Sequence, residues 1–284
     1  MSRRRSVLVT PGSDRSKLTK ALQAGADEVV LDLEDAVAPT NKDDARALVV
    51  EAINTIAPAP GTTISVRMNS IGSPWAADDL AALARTGSGL SSVVVPKVQG
   101  AADLETAASG LAGHGATLQA LIETPTGLTF LDDICSAVDE LDGLIIGYAD
   151  LAAELGREPG LPPHRWAAIQ DRVLIAARTA GIAAIDGPHL GTGDDDDFRH
   201  ATRWVRELGF DGKWVIHPRQ IGYVTEEFTP SQEVVEQARR ILDALEEAAR
   251  RGAGAAQLDG QMLDEAVALS ARRTLAKVEE RIDV

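Results

Sequence analysis

Four short stretches of the 284-residue chain place charged groups where apolar runs end. "VVLDLEDAVAP" sets Asp32, Glu34 and Asp35 just behind Val29-Val30-Leu31. Carboxylates are costly to bury unless something pairs with them. "LIETP" puts Glu123 after Leu121-Ile122, and "IIGYAD" carries Asp150 beyond Ile145-Ile146. Two carboxylates with no nearby cysteine, and no histidine at ligand spacing, suit a hard, oxygen-preferring ion. Mg2+ fits, held by one or two carboxylates plus substrate oxygens and waters. Mn2+ is the second choice, and the ligand types disfavour zinc. The competing reading of Asp150 is a cap on a helix beginning at Leu151. In "SVRMNS", Arg67 is suited to bidentate binding of a carboxylate or oxyanion. It could equally form an internal salt bridge to Glu34 or Asp35, and the two roles are compatible.

These groups need a scaffold that brings them together. Eight short apolar runs recur: Ser6–Thr10, Glu28–Leu33, Thr63–Arg67, Ser92–Pro96, Leu118–Glu123, Gly143–Gly147, Ile182–Ile185 and Trp214–His217. Several are rich in Val and Ile, as strands prefer, and continuous apolar runs suit parallel strands buried on both faces. The segments between them, such as Ser16–Ala24, Ala76–Arg85, Ala101–Gly110 and Arg165–Ala180, carry helical spacing. Eight strands alternating with helices predict an α/β fold, a (β/α)8 TIM barrel. A doubly wound open sheet is the alternative, but no G-x-G-x-x-G turn follows the first run. Barrel chemistry lies at the C-terminal strand ends. Here those ends read Thr10, Glu34-Asp35, Arg67 with Asn69, Lys97, Glu123, Asp150, Asp186 and His217, a polar rim. Because side chains alternate along a strand, Asp32 and Glu34 share one side, and Glu34 is expected to orient Arg67.

Beyond His217 the pattern changes. Residues 1–228 are expected to form the barrel domain and residues 229–284 a C-terminal helical extension. Ser231 could cap a helix over Pro230–Arg251, Gly252–Ala256 reads as a flexible link, and a last helix begins near Asp264. The run Asp194–Asp197 precedes a helical segment, where acids favour the positive end of the helix dipole.

The formal charge of −15 argues against a general nucleic-acid or membrane-surface binder. It leaves room for an anionic ligand held by local cations. A single cysteine, Cys135, excludes an internal disulfide and is read as structural. No apolar run approaches the roughly 18 residues of a membrane span, and a cytoplasmic protein is expected.

In order, "RSVLVTPGS", "GADEVVLDLEDAVAP", "SVRMN", "VVVPKV", "ALIETPTGL", "IIGYADLA", "AIDGP" and "GFDGKWVIHPRQI" resemble the HpcH/HpaI aldolase and citrate lyase β-subunit family. "FTPSQEVVEQARRIL" and "LDGQMLDEAV" are most similar to its malyl-CoA and β-methylmalyl-CoA lyase branch. The resemblance implies a barrel that cleaves or forms a carbon–carbon bond beside a coenzyme A thioester, with Mg2+ on Glu123 and Asp150. It implies that Arg67 holds the thioester oxygen or the 2-oxoacid. Val9, Thr10, Arg15, Lys20, Asp35, Ala149, Ile216 and His217 would line the site for substrate and CoA. The catalytic acid/base of that branch comes from the C-terminal segment of a neighbouring subunit, and the matching residue is Asp264. A homotrimer, or a hexamer built as a dimer of trimers, follows. Two departures stand out: Asp14 replaces an arginine common after the P-G-S turn, and the segment following Asp150 is short.

The implied reaction is Mg2+-dependent, reversible Claisen-type cleavage of malyl-CoA, β-methylmalyl-CoA or citramalyl-CoA. The products are glyoxylate or pyruvate plus acetyl-CoA or propionyl-CoA. Alternatives are a citryl-carrier lyase subunit, a CoA-independent 2-oxoacid aldolase, a malyl-CoA thioesterase, or a non-catalytic barrel that binds acyl-CoA.

Overall fold

The Val/Ile-rich runs all form strands: β1 (Ser6–Pro11), β2 (Glu28–Asp32), β3 (Thr63–Arg67), β4 (Leu90–Val95), β5 (Thr117–Ile122), β6 (Leu141–Ile146), β7 (Ala183–Asp186) and β8 (Gly212–Val215). They pair in parallel in chain order, and β8 closes onto β1. The expected (β/α)8 barrel is therefore present. This structure is a computed structural model describing residues 3–158, 160–253 and 255–279. Parallel neighbours need crossovers. Helices supply them, among them Arg15–Leu22, Lys42–Thr55, Ala76–Leu83, Ala101–Gly110, Ala167–Ala180 and Asp196–Leu208. The last of these is capped by Asp195, whose side chain accepts from the Phe198 amide, as the acidic run suggests.

Strand alternation stacks the barrel interior in three levels. The middle level is an apolar cluster that includes Val7, Val30, Val94, Leu121, Ile145, Ile185 and Trp214. Residues two positions earlier point the same way and form a polar floor. Glu28 on β2 accepts from Ser65 Oγ at 2.5 Å and Gln119 Nε2 at 2.6 Å, while Ser65 Oγ meets Ser92 Oγ at 2.6 Å. Arg4 ion-pairs with fully buried Glu28 and reaches Asp142 at 2.9 Å. Residues two positions beyond the apolar level, Asp32 and Glu123, stand at the mouth, where Arg67 follows Ser65 in the same alternation.

Contacts divide the chain into two compact units, one spanning Arg3–Glu226 and the other starting at Glu227. Residues 1–2 and 280–284 lie outside the described residues. The second unit contains helix Gln232–Arg250, capped by Ser231, and helix Glu265–Glu279, for which Asp264 accepts from the Val267 amide at 3.1 Å. Between them lies an element absent from the sequence reading: an antiparallel hairpin of β9 (Ala256–Leu258) and β10 (Gln261–Leu263). Its two-residue turn is Asp259-Gly260, at φ +49° and +80°. Positive φ at both positions is what a type I′ hairpin turn requires, and Asp-Gly supplies it readily.

The floor generates a stability prediction. Arg4→Met removes the cation facing Glu28 and leaves a buried carboxylate uncompensated, so stability should fall by about 3–5 kcal/mol. Urea denaturation measures it, and a loss below about 1 kcal/mol, the range of an exposed ion pair, would contradict the buried-pair account.

Candidate active site

At the mouth, β2 and β3 are in a register that sets Asp32 beside Arg67. Arg67 donates from Nε to Asp32 Oδ1 at 2.7 Å and from Nη2 to Asp32 Oδ2 at 2.6 Å, a planar two-point pair. Its Nη1 lies 2.9 Å from Glu34 Oε2, out of line for a good hydrogen bond. The expected contact of Glu34 with Arg67 is present as an ion pair. The two-point partner is Asp32, fully buried and one residue opposite, which the sequence did not single out for that role. Asp32 also accepts from the amides of Glu34 (2.9 Å) and Ala36 (3.1 Å), folding the chain after β2 into a tight turn. Buried Lys42 donates to the carbonyls of Leu33 and Glu34, both at 2.7 Å, and pins that turn. A guanidinium has five N–H donors. Two are spent on Asp32 and Nη1 lies against Glu34 as an ion pair, so Asp32 and Glu34 do not exhaust the five.

Across the mouth, Glu123 follows β5 and is 2% exposed. Its Oε1 accepts from the Lys97 amide at 2.9 Å. Burial pushes its carboxyl up to about 8, with the charges of Glu34 and Asp150 adding to the rise and Lys97 and Arg67 opposing it. Glu34 is raised by burial too, against the pull of Arg67 and Lys97. The Lys97 ammonium pairs with Glu34 and stands 3.5 Å from Asp35 and 3.6 Å from Asp150. Burial alone would lower its proton affinity, but the hydrogen bond and charge of Glu34 outweigh that and raise it. Gly147, where β6 ends, is required here: a Cβ would come within 2.3 Å of Glu123 Oε2.

Asp150 does not cap a helix at Leu151. The helix is Tyr148–Leu155, with Gly147 at its N-cap and Asp150 in its first turn. Tyr148 anchors that helix: its hydroxyl donates to Asp186 Oδ1 at 2.5 Å and accepts from Gln170 Nε2 at 2.7 Å. Asp186 is paired with buried Lys213, which also donates to the Gly187 carbonyl at 2.7 Å. Ile185 faces the barrel interior, so Asp186 points away from it, and the expected uniform rim loses one member. Asn69 is likewise engaged elsewhere, donating to Asp79 at 2.6 Å.

The donors fit a divalent metal of the Mg2+ kind. They are carboxylate oxygens, one of them buried with its ionised form in need of a counter-charge, and a side-chain cation already stands among them. Among the described residues no three acidic, His or Cys side chains converge into an all-protein cage. That agrees with an ion completed by water and substrate oxygens.

The other expected site residues are more dispersed. Thr10 is buried and Val9 half-buried at the end of β1, packed on the apolar cluster. Arg15 is exposed and ion-paired with Glu51, and Lys20 is exposed in the last turn of the same helix. Asp35 is exposed at the edge of the cluster. Ile216 and His217 are half-buried after β8, where His217 Nδ1 accepts from the Arg219 amide at 3.2 Å. Ala149 lines a separate, mostly apolar cavity of about 840 Å3 with Tyr148, Trp166, Leu190, Asp186 and Lys213. Asp264 belongs to the other unit and is exposed. The sequence placed Lys97 on the rim without a role, and two positioning residues were missed: Asp32 as the partner of Arg67, and Lys42. Cys135 is half-buried, with its thiol pushed up to about 11 by burial, and is unsuited to attack as a thiolate.

A sequence model of the HpcH/HpaI aldolase/citrate lyase family matches residues 5–218. An L-malyl-CoA/β-methylmalyl-CoA lyase of Cereibacter sphaeroides is 36% identical over 92% of this chain and 90% of that protein. A (3S)-malyl-CoA thioesterase of the same organism is 38% identical over 97% of this chain and 94% of its own. Among solved structures, CitE of Mycobacterium tuberculosis, in complex with magnesium, acetoacetate and coenzyme A, superposes with a TM-score of 0.78. It is 32% identical, with 96% of this chain and 97% of that chain covered.

Glu123 generates a pH prediction. In the unfolded chain it titrates near the ordinary value of about 4.3; folded, it titrates near 8. The folded state therefore holds an extra proton in between, so this group's contribution is complete below the unfolded value and is lost as pH rises toward 8. In EDTA the melting temperature should fall between about pH 5 and 8 by this term. Glu123→Gln should flatten that slope, and Mg2+ at pH 8 should raise the melting temperature of the wild type only. Equal slopes in the two proteins would remove Glu123 as the source.

Proposed function

The chain belongs to the HpcH/HpaI aldolase/citrate lyase family, and on that premise we propose that it is a Mg2+-dependent CoA-ester lyase. The reaction is reversible cleavage of a carbon–carbon bond in malyl-CoA, β-methylmalyl-CoA or citramalyl-CoA. The observation that carries the proposal is the barrel mouth itself. A buried carboxylate that needs a cation, Glu123, faces the same cluster as an arginine with donors to spare, Arg67.

In cleavage, the 3-hydroxyl passes its proton to water, its C–O bond becomes the carbonyl of the oxoacid, and the bond from its carbon to the thioester α-carbon breaks. The bonding electrons pass into the thioester as an enolate, leaving glyoxylate or pyruvate. Protonation of the enolate carbon then yields acetyl-CoA or propionyl-CoA. Glu123 and Asp150 would hold Mg2+, which supplies Lewis acidity toward the oxygens of the oxoacid end. Arg67, locked by Asp32, would meet the developing enolate oxygen with its remaining N–H groups. Glu34 would keep Arg67 and Lys97 in place. Val9, Thr10, Arg15, Lys20, Asp35, Ile216 and His217 remain the proposed line of contact for CoA. Asp264 of a neighbouring subunit in a trimer or dimer of trimers would carry the proton of the α-carbon.

A second reading, hydrolysis of the thioester, is favoured by the similarity to the (3S)-malyl-CoA thioesterase. Products separate the two. With Mg2+ and each acyl-CoA, the lyase releases glyoxylate or pyruvate and keeps CoA esterified, whereas a hydrolase releases free CoA and the matching hydroxy diacid: malate, β-methylmalate or citramalate. No turnover of any of the three substrates, with EDTA making no difference, would overturn both. Asp264→Ala should leave folding and metal binding intact and lower cleavage by roughly 10²–10⁴-fold, the usual worth of a positioned acid/base. Near-wild-type cleavage would take Asp264 out of the mechanism.

A further inference from the structure

Lys97 does more at the mouth than any residue singled out from the sequence. It is one of two non-glycine residues with positive φ among the described residues, at +54°; the other is in the Asp259-Gly260 hairpin turn, whose geometry demands it. No such turn explains Lys97. Residues held in this region persist where the surroundings over-determine them, and they cluster at functional sites. The surroundings here are specific. The Lys97 amide is committed to Glu123, and the carbonyl of buried Val98 presses on Gly127 so closely that a Cβ there would sit 2.3 Å away. The strained backbone turns the side chain so that its ammonium reaches acids from the turn after β2, Glu34 and Asp35, and from the helix after β6, Asp150.

Charge accounts for the arrangement. Arg67 is committed to Asp32 and shared with Glu34, and Lys42 is turned to backbone carbonyls. Lys97 is the cation that bridges Glu34, Asp35 and Asp150. We infer that Lys97 is a resident counter-cation: its ammonium holds the acidic cluster together in the metal-free protein and must give up Asp150 when a divalent ion binds. This rests on the proposed metal site at Glu123 and Asp150. It makes Lys97 a positioning residue that tunes metal affinity, with no contact to the reacting atoms required.

The test is Mn2+ binding, followed by the paramagnetic signal of the free ion, in wild type, Lys97→Met and Lys97→Arg. Removing a positive charge this close to a ligand should tighten Mn2+ binding in Lys97→Met by about tenfold, while Lys97→Arg stays near wild type. In EDTA, Lys97→Met should melt below the wild type, with saturating Mg2+ closing the gap. Equal or weaker Mn2+ binding in Lys97→Met would overturn the inference. Absence of Mn2+ binding by the wild type would instead overturn the metal site on which it rests.

Discussion

Negative charge at the barrel mouth outnumbers positive, and it is held away from water. Asp32, Glu34 and Glu123 are all buried, Asp35 and Asp150 stand beside them, and the cations set against these five acids are Arg67, Lys97 and Lys42. Buried ions are tolerated only when paired with good geometry and further hydrogen bonds. Much of the local construction meets that condition. The two-point Arg67–Asp32 pair satisfies both partners, the amides of Glu34 and Ala36 occupy Asp32 further, and Lys42 closes the turn by taking its carbonyls. Glu123 is the group left short of cation, and its raised proton affinity expresses that shortage.

The same alternation that makes a strand also sorts its charges. On β2, Glu28, Val30 and Asp32 all point inward, so one five-residue strand contributes to the polar floor, the apolar middle and the charged mouth. The apolar level insulates the two polar ones, so Arg4–Glu28 below and Arg67–Asp32 above are separate networks. A one-residue register slip would turn all three side chains out of the barrel. The mouth is therefore fixed from beneath, and the helix bearing Asp150 is fixed from outside the barrel through Tyr148, Asp186 and Lys213.

Strand positions and the location of the charged face were legible in the sequence because both follow from local patterns: Val/Ile runs, and polar residues where each run stops. Partner choice was not, because it depends on register between strands distant in the chain. "SVRMN" and "LDLED" show that an arginine and several acids are available, yet only the pairing of β2 with β3 sets Asp32 opposite Arg67. Asp186 shows the limit of counting strand ends, since its alternation with Ile185 turns it away from the interior. The hairpin at 256–263 was readable. Leu258-Asp259-Gly260-Gln261 carries the Asp-Gly turn signal, but the preceding glycines and alanines read as a link. Lys97 was legible as a strand-end cation but not in its conformation, because nothing in "VVPKVQ" announces a left-handed lysine.

The crowding of the mouth also bears on where a proton can come from. A metal on Glu123 requires its ionised form, which removes that carboxyl as a proton carrier whenever the site is loaded. Glu34 is held between two cations that both favour its anion. Tyr148 is tied to Asp186 away from the interior, with its hydroxyl proton held far above the ordinary range by burial and by the neighbouring carboxylate. The cluster is thus equipped to bind and to stabilise charge, while its own acids are committed. An acid brought from elsewhere answers that need, which is the physical argument for Asp264. It is exposed, and it caps its helix by accepting the Val267 amide. Such a group becomes an effective acid only when water is removed from around it, because desolvation raises a carboxyl's proton affinity. On the proposed mechanism, desolvation of Asp264 during turnover is the step that makes it a proton donor.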